Sequence, residues 1–343
     1  MNFFFLISIS FILFYFLNDY LKSRNFLVNY KGQKHQKFLG SRDIPLTGGI
    51  FLVFSIIVLF SYYNFFLSFF VFLIFCVGFA SDINFLSSPK LRLLIQSLII
   101  ICFVLFLDVK INETNFLLLD KLLENIYFSY FFSVFCLLIL VNGSNFIDGL
   151  NGLLLSYMTF IILILLKLDL LYGLKINQNF IVYFIAFMSI MILLNLSNFL
   201  MLGDAGAYVL SFLVGYLIIK CHYLNPYVSP YFFITLIWYP CFENLFSIIR
   251  KFSFKKSPIN ADNNHLHQLL FYYLKKKKII SKFNINNASS FLIILYNLFV
   301  FILSLNHLSN SQFQIIIVLV NVIIYLVAYF KLFTFKYKIN SSY

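Results

Sequence analysis

Long apolar runs separated by short polar breaks organise this chain. A helix needs roughly 20 apolar residues to cross about 30 Å of hydrocarbon. Eleven stretches approach that requirement, near 3–17, 45–61, 65–80, 91–107, 127–141, 150–166, 179–196, 205–221, 230–249, 288–305 and 312–333. They predict an all-α polytopic integral membrane protein of about eleven transmembrane helices. Residues 1–343 form a single multi-span domain, with polar segments near 18–44, 81–91, 142–150, 197–205 and 250–287. The two longest segments are too short for a separate core, and no internal repeat is visible. The first run lacks a basic leader and a small-residue cleavage site and is followed by Lys22 and Arg24, so it reads as a retained span with its N-terminus outside.

Composition supports this picture: 62% of residues are hydrophobic, 21% aromatic and only 11% charged, and the mean hydropathy is +0.93. A soluble domain does not reach such an apolar share, so the bilayer is the solvent for most of the chain. The net charge of +13 is unevenly distributed. With the N-terminus outside, 20 of the 25 Lys and Arg residues fall on one face, and Lys110, Lys121, Lys167, Lys175 and Lys220 fall on the other. Basic residues favour the cytoplasm, so the C-terminus is expected inside. The charge reads as a topology signal and an attraction to anionic lipid, with nothing calling for nucleic acid. Lys275 to Lys278 read as a juxtamembrane anchor. The five cysteines lie in apolar runs without metal or disulfide spacing and read as small buried hydrophobes.

The chemistry is in the breaks. Three acids on the expected cytoplasmic side sit at span ends in Gly- or Asn-bearing turns: Asp82 in GFASDINFLSSPKLRLLIQ, Asp148 in NGSNFIDGLNGL and Asp204 in NLSNFLMLGDAGAY. One such acid is readily explained as a solvated loop end. Three on one face, beside glycines that let a ligand approach the backbone, suit a divalent cation, which takes one or two carboxylates and fills its shell with water and phosphate oxygens. A fourth feature, KKSPINADNNHLHQLL, carries His265 and His267. Their spacing of two disfavours a helical zinc pair. An irregular loop would allow both to turn towards an anion, and plain solvent exposure is the bland alternative.

In order and spacing these motifs resemble the polyprenyl-phosphate N-acetylhexosamine-1-phosphate transferases, the glycosyltransferase family 4 proteins that include the undecaprenyl-phosphate N-acetylglucosamine-1-phosphate and phospho-N-acetylmuramoyl-pentapeptide transferases. The resemblance runs from PLTGG at 45–49 to HLH at 265–267. It implies transfer of a sugar-1-phosphate from a UDP-N-acetylhexosamine to undecaprenyl phosphate with release of UMP, at the inner face of a bacterial plasma membrane. It also implies Mg²⁺, or Mn²⁺ in its place, as cofactor, a homodimer as one assembly, and a first membrane step of a cell-surface polysaccharide pathway such as lipopolysaccharide O-antigen. Carried over by position, Asp204 is the metal ligand and Asp148 an acid of the nucleotide pocket. Asn142, Asn145 and Asn151 become substrate-binding partners, and Asp82 positions or deprotonates the lipid phosphate. Lys90 and Arg92, with His265 and His267, neutralise diphosphate charge.

The chain departs from the family pattern at several of these places. Ser81 stands where the family has the first acid of a pair, Asn151 replaces an acid and Gln268 a histidine. Met201, Ala207 and Asn263 are further departures. A catalytically inactive homologue is therefore the first alternative. A membrane transporter is a second, disfavoured because the acids cluster at one face and not at midplane, and a scaffold would have no use for the motifs together.

Overall fold

The computed structural model describes residues 3–24, 26–28, 44–60, 63–174, 176, 178–253, 255, 263–278 and 285–340. Asp43 and Asp262, expected in cytoplasmic segments, lie outside them. Thirteen α-helices follow in order: α1 (Phe3–Ser23), α2 (Gly48–Phe60), α3 (Phe65–Asp82), α4 (Pro89–Phe106), α5 (Leu117–Leu123), α6 (Ile126–Ile147), α7 (Leu153–Lys167), α8 (Gln178–Leu196), α9 (Gly203–Leu224), α10 (Pro230–Ser253), α11 (Leu266–Lys277), α12 (Ile285–Leu305) and α13 (Ser311–Asn340). No strand occurs among the described residues; one isolated bridge pairs Val28 with Pro45.

The fold is all-α and multi-pass, with fewer spanning helices among the described residues than the eleven expected. Among the described residues eight helices are long and apolar enough to cross a membrane: α3, α4, α6, α8, α9, α10, α12 and α13. The runs at 45–61 and 150–166 yield only the 13 residues of α2 and the 15 of α7. The physical reason lies at their starts. Residues 45–47 run as non-helical chain against the turn before α9, and Gly152, with φ +71°, ends the turn that opens α7. Two cysteines also depart from expectation: Cys76 and Cys102 are exposed on the outer surface, where lipid takes the place of a protein core.

Helix α9 is the most buried span, packed against α2, α3 and α6. Small residues at its start make this possible. A Cβ on Gly49 would lie 2.6 Å from the Ala205 Cβ and from the Gly206 nitrogen, so α2 and α9 approach backbone to backbone. The contact is hydrogen-bonded as well: the Gly48 and Gly49 N–H groups donate to the Met201 and Leu202 carbonyls at 2.9 and 3.0 Å, and the Met201 N–H donates to the Pro45 carbonyl at 2.9 Å. PLTGG thereby docks the turn that carries Asp204.

Pro240 lies inside α10 and cannot donate to the carbonyl four residues earlier. That Leu236 carbonyl instead accepts the Tyr157 hydroxyl of α7 at 2.8 Å. Polar bridges of this kind recur between spans. Trp238 Nε1 donates to Asn297 Oδ1 at 2.9 Å, and Asn244 Nδ2 donates to the Ile139 carbonyl at 3.0 Å. In hydrocarbon, where apolar burial distinguishes poorly between partners, they help fix which helices meet.

The two ends of α9, about 33 Å apart at 1.5 Å per residue, carry separate polar groups. Its start meets the ends of α3 and α6. At its far end Lys220 donates to the Leu107 and Asp108 carbonyls at 3.4 and 3.2 Å, and Lys110 pairs with Asp108 at 3.0 Å. Lys110 and Lys220 therefore lie at the opposite end from the three motif acids, as the loop pattern predicts.

Candidate active site

Asp82 is the last residue of α3 and is buried. Its Oδ1 accepts the Asp204 N–H at 2.9 Å and its Oδ2 the Ala205 N–H at 3.0 Å. A helix start leaves N–H groups without internal partners and carries partial positive charge, so a carboxylate there is doubly favoured. Asp82 thus caps α9 from another helix. Gly203, at φ +73°, leaves the room: a Cβ there would stand 2.7 Å from Asp82 Oδ2.

Asp204, in the first turn of α9, presents its side chain to α3 and α4. Its Oδ2 accepts from Ser81 Oγ and from Arg92 Nη1, each at 2.6 Å, and Arg92 Nη1 also donates to Ser81 Oγ at 2.5 Å. Ser81 therefore occupies the family's acid position as a neutral donor that helps Arg92 hold Asp204. Arg92 comes from α4, whose start is fixed by Ser88 as N-cap and by Pro89 at its first position. Lys90 is exposed on that first turn.

Asp148 follows the last residue of α6. Its carboxylate takes no hydrogen bond from the described residues, and surrounding protein, then the charges of Asp204 and Asp82, hold its pKa well above the usual carboxylate range. The three acids thus lie within electrostatic reach of one another, Arg92 pairs with Asp204, and among the described residues Asp148 lacks a donor. Among the described residues no three His, Cys, Asp or Glu side chains form a complete metal cage. They therefore form no closed zinc site; one or two carboxylates, the number a hydrated Mg²⁺ takes from a protein, are what this end offers.

The asparagines separate into two groups. Asn142 and Asn145 lie within α6, which runs to Ile147 and leaves less loop than the sequence suggests. Asn142 Nδ2 donates to its own helix at Leu138 O, 2.9 Å, and Asn145 Nδ2 points to the Tyr208 hydroxyl at 3.5 Å. Asn151 is buried in an asparagine network. Its Nδ2 donates to Asn198 Oδ1 at 2.8 Å and Asn287 Oδ1 at 3.2 Å, and its N–H donates to Asn286 Oδ1 at 2.7 Å. Asn195 Oδ1 accepts the next N–H, from Gly152, at 2.5 Å. Asn151 accordingly fastens the turn between α6 and α7 to α8 and α12.

The histidine motif does not lie in an irregular loop. His265 is the N-cap of α11 and His267 sits in its first turn, a helix the sequence reading did not foresee. The rings are parallel, with centroids 5.8 Å apart, and His265 also lies over Phe146 of α6 at 5.0 Å. His267 is fully buried, and neither ring nitrogen has a hydrogen-bond partner among the described residues. Its Nε2 approaches Gly149 so closely that a Cβ there would stand 2.6 Å away. Burial, then His265, depresses its pKa to about 3, while Glu243 works in the opposite direction. Gln268 Oε1 accepts the His265 N–H at 3.3 Å, so this departure from the family pattern closes the helix start. Sequence reasoning gave no role to Glu243, Tyr208 or the asparagine network. Glu243 alone left a signal, as an acid within an apolar span.

The geometry places the Asp82, Asp148 and Asp204 motifs at one end of the bundle. Residues 64–222 match the model for glycosyl transferase family 4. The match covers all three acid motifs and leaves PLTGG and the histidine pair outside it. The resemblance to that family is therefore borne out over the central helices. The chain is also 25% identical over 248 residues to the undecaprenyl-phosphate alpha-N-acetylglucosaminyl 1-phosphate transferases of Salmonella typhi and Salmonella typhimurium. It has the same identity over 241 residues to the protein of that name from Escherichia coli O157:H7. Each alignment covers 66% of this chain and 65% of the relative, so the matched region spans a little under two thirds of the relatives' length.

Proposed function

We propose that this protein transfers an N-acetylhexosamine-1-phosphate from a UDP-sugar to undecaprenyl phosphate, releasing UMP. The observation that carries this reading is the meeting of Asp82, Asp148, Asp204 and Arg92 at a membrane-boundary end of the bundle, within the region that matches a family of such transferases. A lipid acceptor reaches that end from the bilayer and a nucleotide from water. The concentration of basic residues on the same side supports a cytoplasmic site in a plasma membrane, with the N-terminus outside and the C-terminus inside.

In the reaction a lipid phosphate oxygen forms a bond to the phosphorus that carries the sugar, and the bridging P–O bond to UMP breaks. Such displacements depend on alignment and on neutralising charge on the phosphoryl oxygens. A phosphate monoester has a second pKa of about 6 and is largely ionised at pH 7, so the acceptor needs positioning more than deprotonation. Asp204 and Asp148 would hold Mg²⁺, which when bound would draw the diphosphate oxygens together and offset their charge. Arg92, which now pairs with Asp204 Oδ2, would neutralise an incoming phosphate. Asp82, with both oxygens engaged by the α9 backbone, positions Asp204. His267 offers neutral imidazole nitrogens at Gly149, and Asn142 and Asn145 line the same end for sugar or base.

The test is UMP release by purified protein in detergent, given undecaprenyl phosphate, Mg²⁺ and a panel of UDP-N-acetylhexosamines, beside Asp204→Asn. Lipid-dependent release that disappears in the variant is expected. Absence of turnover with every donor, from folded protein, would overturn the reading in favour of an inactive homologue whose departures at Ser81, Asn151 and Gln268 have removed the chemistry.

A further inference from the structure

Glu243 is an acid within a membrane span, fully buried just past the middle of α10. A buried carboxylate at this depth needs donors, and two come from different parts of the chain. His265 Nδ1 lies 2.9 Å from Glu243 Oε1, and the Tyr325 hydroxyl of α13 donates to Oε2 at 2.8 Å. Since an ionised carboxylate only accepts, His265 Nδ1 carries a proton towards it. Further along the same two helices, Arg250 Nη1 donates to the Tyr329 hydroxyl at 2.8 Å and also to the Asn264 carbonyl. Lys336 Nζ then donates to Asn264 Oδ1 at 2.8 Å. The residues leading into the histidine motif are therefore held from α10 and α13, outside the region matched by the family model.

We propose that Glu243, braced by Tyr325, is a positioning residue for the transfer reaction: it fixes the tautomer and plane of His265, and through the stacked rings it sets His267 against Gly149. The proposal rests on the transferase reading for its effect on turnover. Its structural content stands independently, in the protonation of His265. Glu243 needs no contact with substrate for this role. It acts as the partner that orients a metal-bound histidine does, where removal typically costs about 10- to 100-fold in activity or affinity.

The experiment pairs kinetics with the ¹⁵N spectrum of histidine-labelled protein in detergent, for wild type, Glu243→Gln, Glu243→Ala and Tyr325→Phe. Wild type should show His265 as the Nδ1–H tautomer. Glu243→Ala should lose that signature and lower kcat by roughly 10- to 100-fold, with KM for both substrates within about threefold. Glu243→Gln, which keeps an acceptor oxygen, should recover part of the rate, and Tyr325→Phe should give a smaller loss in the same direction. In a His265→Ala background, Glu243→Gln should have no further effect on kcat. An unchanged His265 spectrum in Glu243→Ala overturns the proposal, as does additivity of the two substitutions. If Glu243→Ala does not fold, Tyr325→Phe decides: a His265 signature and kcat both identical to wild type overturn the proposal. Wild-type protein that turns over no donor, yet shows the Nδ1–H tautomer and its loss in Glu243→Ala, would count against the transferase reading and leave the positioning of His265 intact.

Discussion

Asp82 accepts the backbone N–H groups of Asp204 and Ala205, so the acid that ends α3 caps the helix that begins at the second acid. The two carboxylates are thereby locked in register, because one cannot move without breaking the start of α9. Asp82→Asn keeps one acceptor oxygen but turns an N–H₂ towards a backbone N–H and removes the charge. A loss of about 0.5–2 kcal/mol is expected from the cap alone. It should appear as a lower Tm in detergent together with reduced UMP release. A Tm equal to that of wild type would mean the cap contributes nothing.

Gly203→Ala tests the space that cap requires. The residue sits at φ +73°, and its new methyl would be 2.7 Å from Asp82 Oδ2. A left-handed backbone costs a non-glycine residue about 1–2 kcal/mol, and displacement of Asp82 adds to that. Lower thermal stability and lower activity are expected together. A variant with unchanged Tm would show that the turn relaxes freely.

Asn151→Asp restores an acid that the family pattern contains, and the structure argues that it will not help. The side-chain amide donates to Asn198 and Asn287, and a carboxylate there would face their oxygens with no proton to offer. Buried acceptors left opposite one another cost on the order of 1–3 kcal/mol. The expected result is a lower Tm without a gain in turnover. A gain in activity would mean that Asn151 faces substrate during the reaction.

His267 gives a pH dependence. Its pKa falls from the ordinary 6.5 to about 3 because the ring is buried, and next because of His265. The folded state therefore binds fewer protons than the unfolded chain between those values. Its contribution to stability is complete above pH 6.5 and declines as pH falls towards 3, by at most about 1.4 kcal/mol per unit. Thermal melts from pH 7.5 to 5 should show wild type losing more stability than His267→Gln. Parallel curves would contradict this.

Much of the site was legible because its chemistry is sparse against an apolar background. Asp82, Asp148, Asp204, Arg92 and the histidines stand out in a chain with 12 acidic residues. Their partners were not legible. Asn195, Asn198, Asn286 and Asn287 read as ordinary loop and helix-end residues, and only their convergence on the turn at Asn151 and Gly152 explains why an asparagine stands there. Helix α11 was missed because its twelve residues are too polar for a span and are hidden in a Lys-rich segment. Helices α2 and α7 are shorter than their apolar runs because apolar length does not report where a non-helical segment such as 45–47, or Gly152, delays a helix start.

The sequence by itself determined the solvent. Apolar runs of this length admit helices that satisfy their own backbone groups, which made an all-α membrane protein with its acids at the boundaries the expected form. Tertiary structure decided what those acids do. Asp82 became a cap, Asp204 the partner of Ser81 and Arg92, Asp148 a carboxylate without a donor among the described residues, and Glu243 the anchor of His265. A carboxylate's role is set by which donors stand within about 3 Å of it, and for Asp82 and Asp204 those donors come from residues more than a hundred positions away in the chain.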